Sequence, residues 1–185
     1  MLKIQKEKII PLCRRSLFGG EDAEFPEALL IMDLDMSGRA LSMALAEHVL
    51  TLRADRAFDR LQDLLSLRVS YQLAGDRRLM PYAGSFSGRT DVCVAFQALD
   101  MEFEIRDLEL AAPIAEHASA ASRWSACWIN RGTRDSALIH GFSHLRFVDG
   151  LVVDWVDFID TATASYLAGW MPEMPSFAMS GPQGR

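Results

Sequence analysis

The sequence predicts an α+β domain, in which helices come first and a run of antiparallel strands comes last, forming a curved sheet with helices on its concave face. Three observations carry this. Apolar residues recur at helical spacing from Ser37 to Leu65, the period shortens toward two from Leu67, and the stretch after Leu99 reads as strands ending around an Asp149-Gly150 turn. An Asp-Gly pair between apolar segments is the strongest short-range signal for a hairpin.

Composition bounds the answer before any motif is read. The chain has 185 residues, 50% of them hydrophobic and 24% charged, as in ordinary one-domain globular proteins. A chain of this length buries roughly 70% of its unfolded surface, so it can build a core without metal or disulfide staples. Its 19 Lys and Arg against 25 Asp and Glu give a net charge of −6, without a run of like charges, which argues against a nucleic-acid partner. Cys13, Cys93 and Cys127 match no zinc or redox spacing, so reduced thiols in a cytoplasmic protein are expected. The first ten residues, MLKIQKEKII, lack the apolar core of a secretory signal. No apolar run reaches the roughly 18 residues of a membrane span.

Residues 1–36 read as an N-terminal extension, 37–170 as the domain, and 171–185, with Pro172, Pro175 and Pro182, as an irregular tail. Ser37 can cap a helix through Leu52 whose Leu41, Leu45, His48 and Leu52, at steps of four, three and four, share a face. Asp55 can cap a second helix buried through Phe58, Leu61, Leu64 and Leu65. A first strand follows from Leu67 to Tyr71 and ends at the turn-forming AGDRR. PYAGSFSGR reads as a loop, and Thr90 can cap a third helix through Leu99. Strands are expected over 103–111, 114–117, 122–130, 138–148 and 151–159, with turns at Arg131-Gly132-Thr133 and Asp149-Gly150.

Three segments, LAEHVLTLRADRAFDRLQDLLSLRVSY, PYAGSFSGRTDVCVAF and HLRFVDGLVVDWVDFIDTA, carry a family resemblance over about residues 38 to 165. In order and spacing the chain resembles the NTF2-like superfamily, which includes ketosteroid isomerase, limonene-epoxide hydrolase and the SnoaL-like polyketide cyclases. The first segment is similar to the family's long helix, short helix and first strand. The second is similar to its "G-x-x-x-G-R, then helix" segment, and the third to its final hairpin. The resemblance implies a cone-shaped, mostly antiparallel sheet with three helices on its concave side and cofactor-free chemistry on a small hydrophobic molecule. It also implies a homodimer through the outer sheet face, which His140, Phe142, His144 and Arg146 would line. Fold alone does not settle the chemistry.

The last strand gives the sharpest candidate. Alternation places Leu151, Val153, Trp155, Asp157 and Ile159 on one face, with Asp157 its only polar member. A carboxylate between Trp155 and Ile159 would be partly desolvated, which raises its pKa and suits it to acid/base work near neutrality. His48, on the apolar stripe of the first helix, is a second candidate, and it lies near the helix position where ketosteroid isomerase carries a catalytic tyrosine. Tyr71 stands on the first strand as an acid or orienting group. Trp124, Trp128, Ser143, Trp155, Phe86 and Phe96 are candidate cavity-lining residues for a hydrophobic ligand.

Departures from the family are equally informative. Ser143 stands where the isomerase places its proton-donating Asp, and Tyr71 or Gln72 where it has its base. Of the hydrolase's Asp-Arg-Asp set only the last-strand Asp has a counterpart, Asp157, with Gly141 and Ser143 near the other two. The SnoaL-like pattern of one acid/base Asp in an apolar pocket is the least damaged. His140 and His144 on one strand would be about 13 Å apart, too far to share a metal ion. Ser143 and His144, as strand neighbours, face opposite ways and form no hydrolase pair. Arg89, at a helix start after GSFSG, could receive an anion. The competing class is a non-catalytic ligand-binding or dimeric module with a structural Asp157.

Overall fold

The computed structural model describes residues 38–171. The expected N-terminal extension, the Ser37 cap and the C-terminal tail lie outside the described residues. Eleven elements follow in chain order: α1 (Gly38–Ala54), α2 (Phe58–Asp63), β1 (Leu65–Ala74), β2 (Gly84–Ser87), α3 (Arg89–Glu102), β3 (Phe103–Leu110), β4 (Ile114–Glu116), β5 (Ser119–Asn130), β6 (Ser136–Val148), β7 (Leu151–Ile159) and α4 (Thr161–Leu167). The strands form one mixed sheet in the order β2-β1-β7-β6-β5-β3, with β4 added to β5. The pairing of β1 with β7 is parallel, and every other pair is antiparallel. This sheet curls without closing. α1 packs on β5, β4 and β3, while α3 covers β1, β2 and β3, so the apolar inner face and the helices share one core.

The strands expected from alternation are present with small changes of boundary, and β7 spans the expected residues. Asp149 and Gly150 both take positive φ, 51° and 77°, which the tight β6–β7 turn requires. At the other turn, Asn130 Oδ1 accepts from the backbone N–H of Gly132 at 2.8 Å and of Thr133 at 3.1 Å. On β6, Ile139, Gly141, Ser143, Leu145 and Phe147 are buried while Leu138, His140, Phe142 and Arg146 are exposed, a period of two sustained along the strand.

Several expectations are corrected. The buried residues of α1 are Ser42, Leu45, Ala46, Val49, Leu50 and Leu52, whereas Leu41 is 43% exposed and His48 is only partly buried. At 100° per residue the two stripes differ by roughly 80°, and small residues such as Ala46 and Ser42 mark the closer approach to the sheet. α2 begins after Ala57, which makes no side-chain cap, so Asp55 does not cap it. The GSFS segment is not a loop, because Ser85, Phe86 and Ser87 pair with Gln72, Tyr71 and Ser70 as strand β2. α3 starts after Gly88 rather than at a Thr90 cap and continues to Glu102. The Arg89 Nε and Nη2 donate to the Leu65 carbonyl at 2.9 and 2.5 Å, tying the helix start to β1. Along β7 the alternation breaks at a bulge, where Arg146 pairs with Asp154 and Phe147 with Val152. Val152 is therefore buried in place of Val153, and the inward set resumes at Trp155. Four helices are described instead of three. The fourth, α4, was not expected, although Asp160 is a proper cap that accepts from Thr163 N at 3.1 Å and Thr163 Oγ1 at 2.6 Å. Among the described residues no helix is long and apolar enough to cross a membrane.

Candidate active site

Asp157 lies on the inner face of β7 and is 9% exposed. Its neighbour across the ladder on β6 is Ser143, and on the parallel side it is Leu73 of β1. Such burial would be prohibitive for a lone carboxylate, and three side chains offset it. Ser143 Oγ donates to Oδ1 at 2.5 Å, Trp155 Nε1 donates to the same oxygen at 2.7 Å, and the Tyr71 hydroxyl donates to Oδ2 at 3.1 Å. Ser143 is itself oriented, because Trp124 Nε1 donates to its Oγ at 2.9 Å. A hydroxyl that accepts from an indole keeps its own proton for the carboxylate, so Trp124, Ser143 and Asp157 form a directed chain.

Two opposing effects set the proton affinity of Asp157. Burial raises its pKa above the ordinary carboxylate value and outweighs the donors Ser143, Trp155 and Tyr71 and the positive charge of Arg53, all of which lower it. The Tyr71 hydroxyl is pushed well above its usual value by burial and by the neighbouring Asp157 charge, so it remains a proton-bearing donor. These groups open onto one cavity of about 60 Å³ with an open mouth, walled by apolar side chains that include Leu50, Leu99, Ile105 and Ile159.

Aromatic packing fixes the wall. Phe96 meets the Tyr71 ring edge-on at 4.6 Å and Trp155 at 5.0 Å, while Phe86 stacks on Tyr71 at 5.9 Å. Trp124 lies over the backbone of β6 at Gly141, where a Cβ would fall inside the indole ring at Cζ2 and Cε2. Glycine at 141 therefore lets Trp124 reach Ser143. Gly141→Ala should displace that ring and cost about 1 to 3 kcal/mol of stability, as overpacking of a filled core does. Chemical denaturation checks this, and adding Trp124→Leu should recover most of the loss. A single variant as stable as the parent chain would show that Trp124 is not held in this position.

The cavity brings together Tyr71, Trp124, Trp128, Ser143, Trp155 and Asp157, six of the residues singled out from the sequence. Three others are corrected. His48 does not line the cavity and makes no pair with Asp157; it sits half-buried near Arg60, and both effects lower its pKa, burial more than the arginine. Phe86 and Phe96 also stand outside the lining and act as supports behind Tyr71. Arg53 was missed. It lines the cavity from the last turn of α1, with its guanidinium carbon 4.7 Å from the Phe96 ring centre. Its Nη1 donates to Asp100 Oδ2 at 3.2 Å, and its Nη2 lies 3.0 Å from Oδ1 as an ion contact outside hydrogen-bond geometry. The buried stripe 42-45-46-49 extended by one turn reaches position 53, which is the signal that could have found it. His140 and Arg146 are exposed on the outer face of β6, with His144 partly so. Among the described residues no group of three His, Cys, Asp or Glu is placed to hold a metal ion.

No family model matches the sequence, and no curated protein does. Solved structures do match. An NTF2-like protein from Burkholderia pseudomallei K96243 superposes with a TM-score of 0.60 at 19% identity, over 72% of this chain and 98% of its own. The chain has the NTF2-like fold. A provisionally assigned ketosteroid isomerase from Kribbella flavida is 23% identical, with a TM-score of 0.53 over 67% of this chain and 81% of its own. A provisionally assigned polyketide cyclase from Xanthomonas campestris pv. campestris is 13% identical, with a TM-score of 0.59 over 71% and 99%. A shared fold at this identity does not fix the chemistry, which rests on the side chains above.

Proposed function

We propose that the protein takes a small, largely apolar organic molecule into the cavity and moves a proton on it without a cofactor, as an isomerase, cyclase or lyase. The observation that carries this is a buried carboxylate, Asp157, held by three donors in a cavity whose walls are mostly apolar apart from Arg53. Asp157 takes a proton from the substrate and returns it at a second position, and its raised pKa places the exchange closer to neutrality than an ordinary aspartate could. Tyr71, Ser143 and Trp155 hold the carboxylate in one orientation. The provisional isomerase and cyclase assignments of similar folds support the same class of chemistry. A non-catalytic module would be expected to have a filled or closed cone.

Thermal shifts of the parent chain and Asp157→Asn against hydrophobic hydroxy-, keto- and epoxy-compounds test the proposal. A compound at about a hundred times its Kd should stabilise the parent by about 2.7 kcal/mol. If no compound shifts either protein, the cavity is not a ligand site.

The outer face of the sheet supports a second copy of the chain as partner. Phe142 and Phe158 are neighbours across β6 and β7 and are 40% and 53% exposed, flanked along β6 by His140 and His144. A mixed polar and aromatic strip of this kind suits a homodimer interface. Sedimentation should give a dimer for the parent chain and a monomer for Phe142→Glu with Phe158→Glu. A monomeric parent chain refutes it.

A further inference from the structure

Arg53 is the only cation among the described residues that line the cavity, and proton transfer by Asp157 gives it no task. It comes from the last turn of α1 and keeps 11% of its side-chain surface, against 2% for its ion-pair partner Asp100. Asp100 does not saturate it. Arg53 Nη1 donates to Asp100 Oδ2 at 3.2 Å, and the same oxygen accepts from Arg56 Nε at 3.2 Å, so one carboxylate oxygen is shared by two arginines. Asp100 Oδ1 accepts no hydrogen bond among the described residues. Two guanidinium groups on one carboxylate leave an excess of positive charge beside the cavity.

The remaining donors of Arg53 are open. Its Nη2 reaches the Phe96 carbonyl only at 3.5 Å, and its Nε donates to no group among the described residues. A polar atom in an enclosed side chain is normally either paired or reached by water. The buried side-chain N and O atoms without a partner are Asp100 Oδ1 and Trp128 Nε1, so the Arg53 Nε–H keeps accessible surface on a side chain that walls the cavity. The guanidinium is held in place between aromatic rings, its carbon 4.7 Å from the centre of Phe96 and 5.7 Å from that of Phe58. Its charge lowers the pKa of both Asp157 and Tyr71, which puts it within electrostatic reach of the polar cluster. The rest of the wall, with Leu108, Leu110 and Ile159, is apolar.

We propose that Arg53 is a specificity-determining residue that holds a carboxylate of the ligand, so that the molecule taken into the cavity is a small organic acid with an apolar body. The guanidinium supplies both a permanent charge and the Nε–H, and a carboxylate answers both. A neutral carbonyl uses the N–H and leaves the charge unmet. This rests on the reading of the cavity as a ligand site.

Three probes of one shape test it: benzoate, acetophenone and isopropylbenzene, titrated into the full chain labelled with 15N at arginine. Isopropylbenzene reports the cavity alone. Benzoate should bind about ten- to a hundredfold more tightly than isopropylbenzene, the ratio of a hydrogen bond to a charged group, with acetophenone between them. Benzoate should also move the Nε–H resonance of Arg53, identified by its contact with the Phe96 ring, and isopropylbenzene should not. Asp157→Asn removes a negative charge from the cavity and should tighten benzoate more than acetophenone. Arg53→Met paired with Asp100→Leu removes the ion pair whole and should place benzoate below isopropylbenzene. If that double variant does not fold, the Arg53 resonance and the Asp157→Asn titration decide. Benzoate no tighter than isopropylbenzene, an unmoved Arg53 resonance, benzoate binding indifferent to Asp157→Asn, or a preference that survives in the double variant overturns the inference. Binding of acetophenone or isopropylbenzene without benzoate refutes it and leaves the cavity reading intact. If none of the three probes binds, the cavity reading fails and this inference with it.

Discussion

Asp157→Asn should lower proton transfer by about 10²- to 10⁴-fold, the usual contribution of a positioned general base. The readout needs no knowledge of the natural substrate. Hydrogen–deuterium exchange at the carbon beside the carbonyl of a bound ketone, followed by NMR, reports abstraction and return of a proton directly. An amide keeps the shape of the carboxyl group and can still accept from Ser143 and Trp155. Loss of exchange would therefore not be a packing effect, whereas exchange at the parent rate would refute a role for Asp157. The rate of the parent chain should rise with pH through a pKa above the ordinary carboxylate value, because burial favours the neutral form. Tyr71→Phe removes a bond that favours the charged form, so its profile should move to higher pH.

The same substitution predicts a stability change of opposite sense. A carboxyl whose pKa is raised on folding stabilises the native state fully below its unfolded value and loses that contribution as pH rises through the folded value. With an unfolded value near 3.8, the parent chain carries a penalty at neutral pH that Asp157→Asn does not. The variant should melt higher than the parent at pH 7, with the gap closing as pH falls toward 4. A gap independent of pH would show that Asp157 is not desolvated.

Asp100→Ala should be the most damaging substitution to stability away from the cavity, costing about 3 to 5 kcal/mol. Asp100 is 2% exposed on α3 and receives Arg53 of α1 and, at 3.2 Å, Nε of Arg56, while Arg131 Nε donates to its backbone carbonyl at 2.8 Å. Arg56 is half-exposed and contributes little, since water screens it. Most of the loss comes from Arg53, which is nearly enclosed against Phe96 and would be left with an unpaired buried charge. Calorimetry should show a fall in Tm of roughly 10 °C. The double variant Asp100→Leu with Arg53→Met should recover most of it, because an apolar pair of similar volume avoids desolvation altogether. A single variant within 1 kcal/mol of the parent would show that the ion pair does not join α1 to α3.

The legible and illegible parts of the molecule divide on sequence distance. Alternation in Leu138 to Val148 and Leu151 to Ile159, with Asp149-Gly150 between them, was enough to place β6, β7 and their turn, because hairpins are made by neighbours. The same alternation marked Asp157 as the polar member of an apolar face. Tyr71, Trp124 and Ser143 were recognised as candidates, but nothing local shows that a hydroxyl 86 residues away donates to Asp157 or that an indole reaches Ser143 over Gly141. β2 was missed for the same reason, since four residues alternating Ser with Gly and Phe have no strand signal apart from their partner Tyr71.

His48 shows the limit from the other side. Steps of four, three and four are satisfied by more than one stripe on a helix, and only docking against the sheet chose the one through Ser42, Ala46 and Val49 that carries Arg53 to the cavity. The sequence by itself determined the α+β order, the hairpin strands and the buried acid at 157, all of which follow from periods of two and 3.6 within a single segment. The rotation of α1 and the donors that hold Asp157 were decided only in the folded chain. Each depends on which faces of separate elements meet, and that is settled by the burial of the whole core at once.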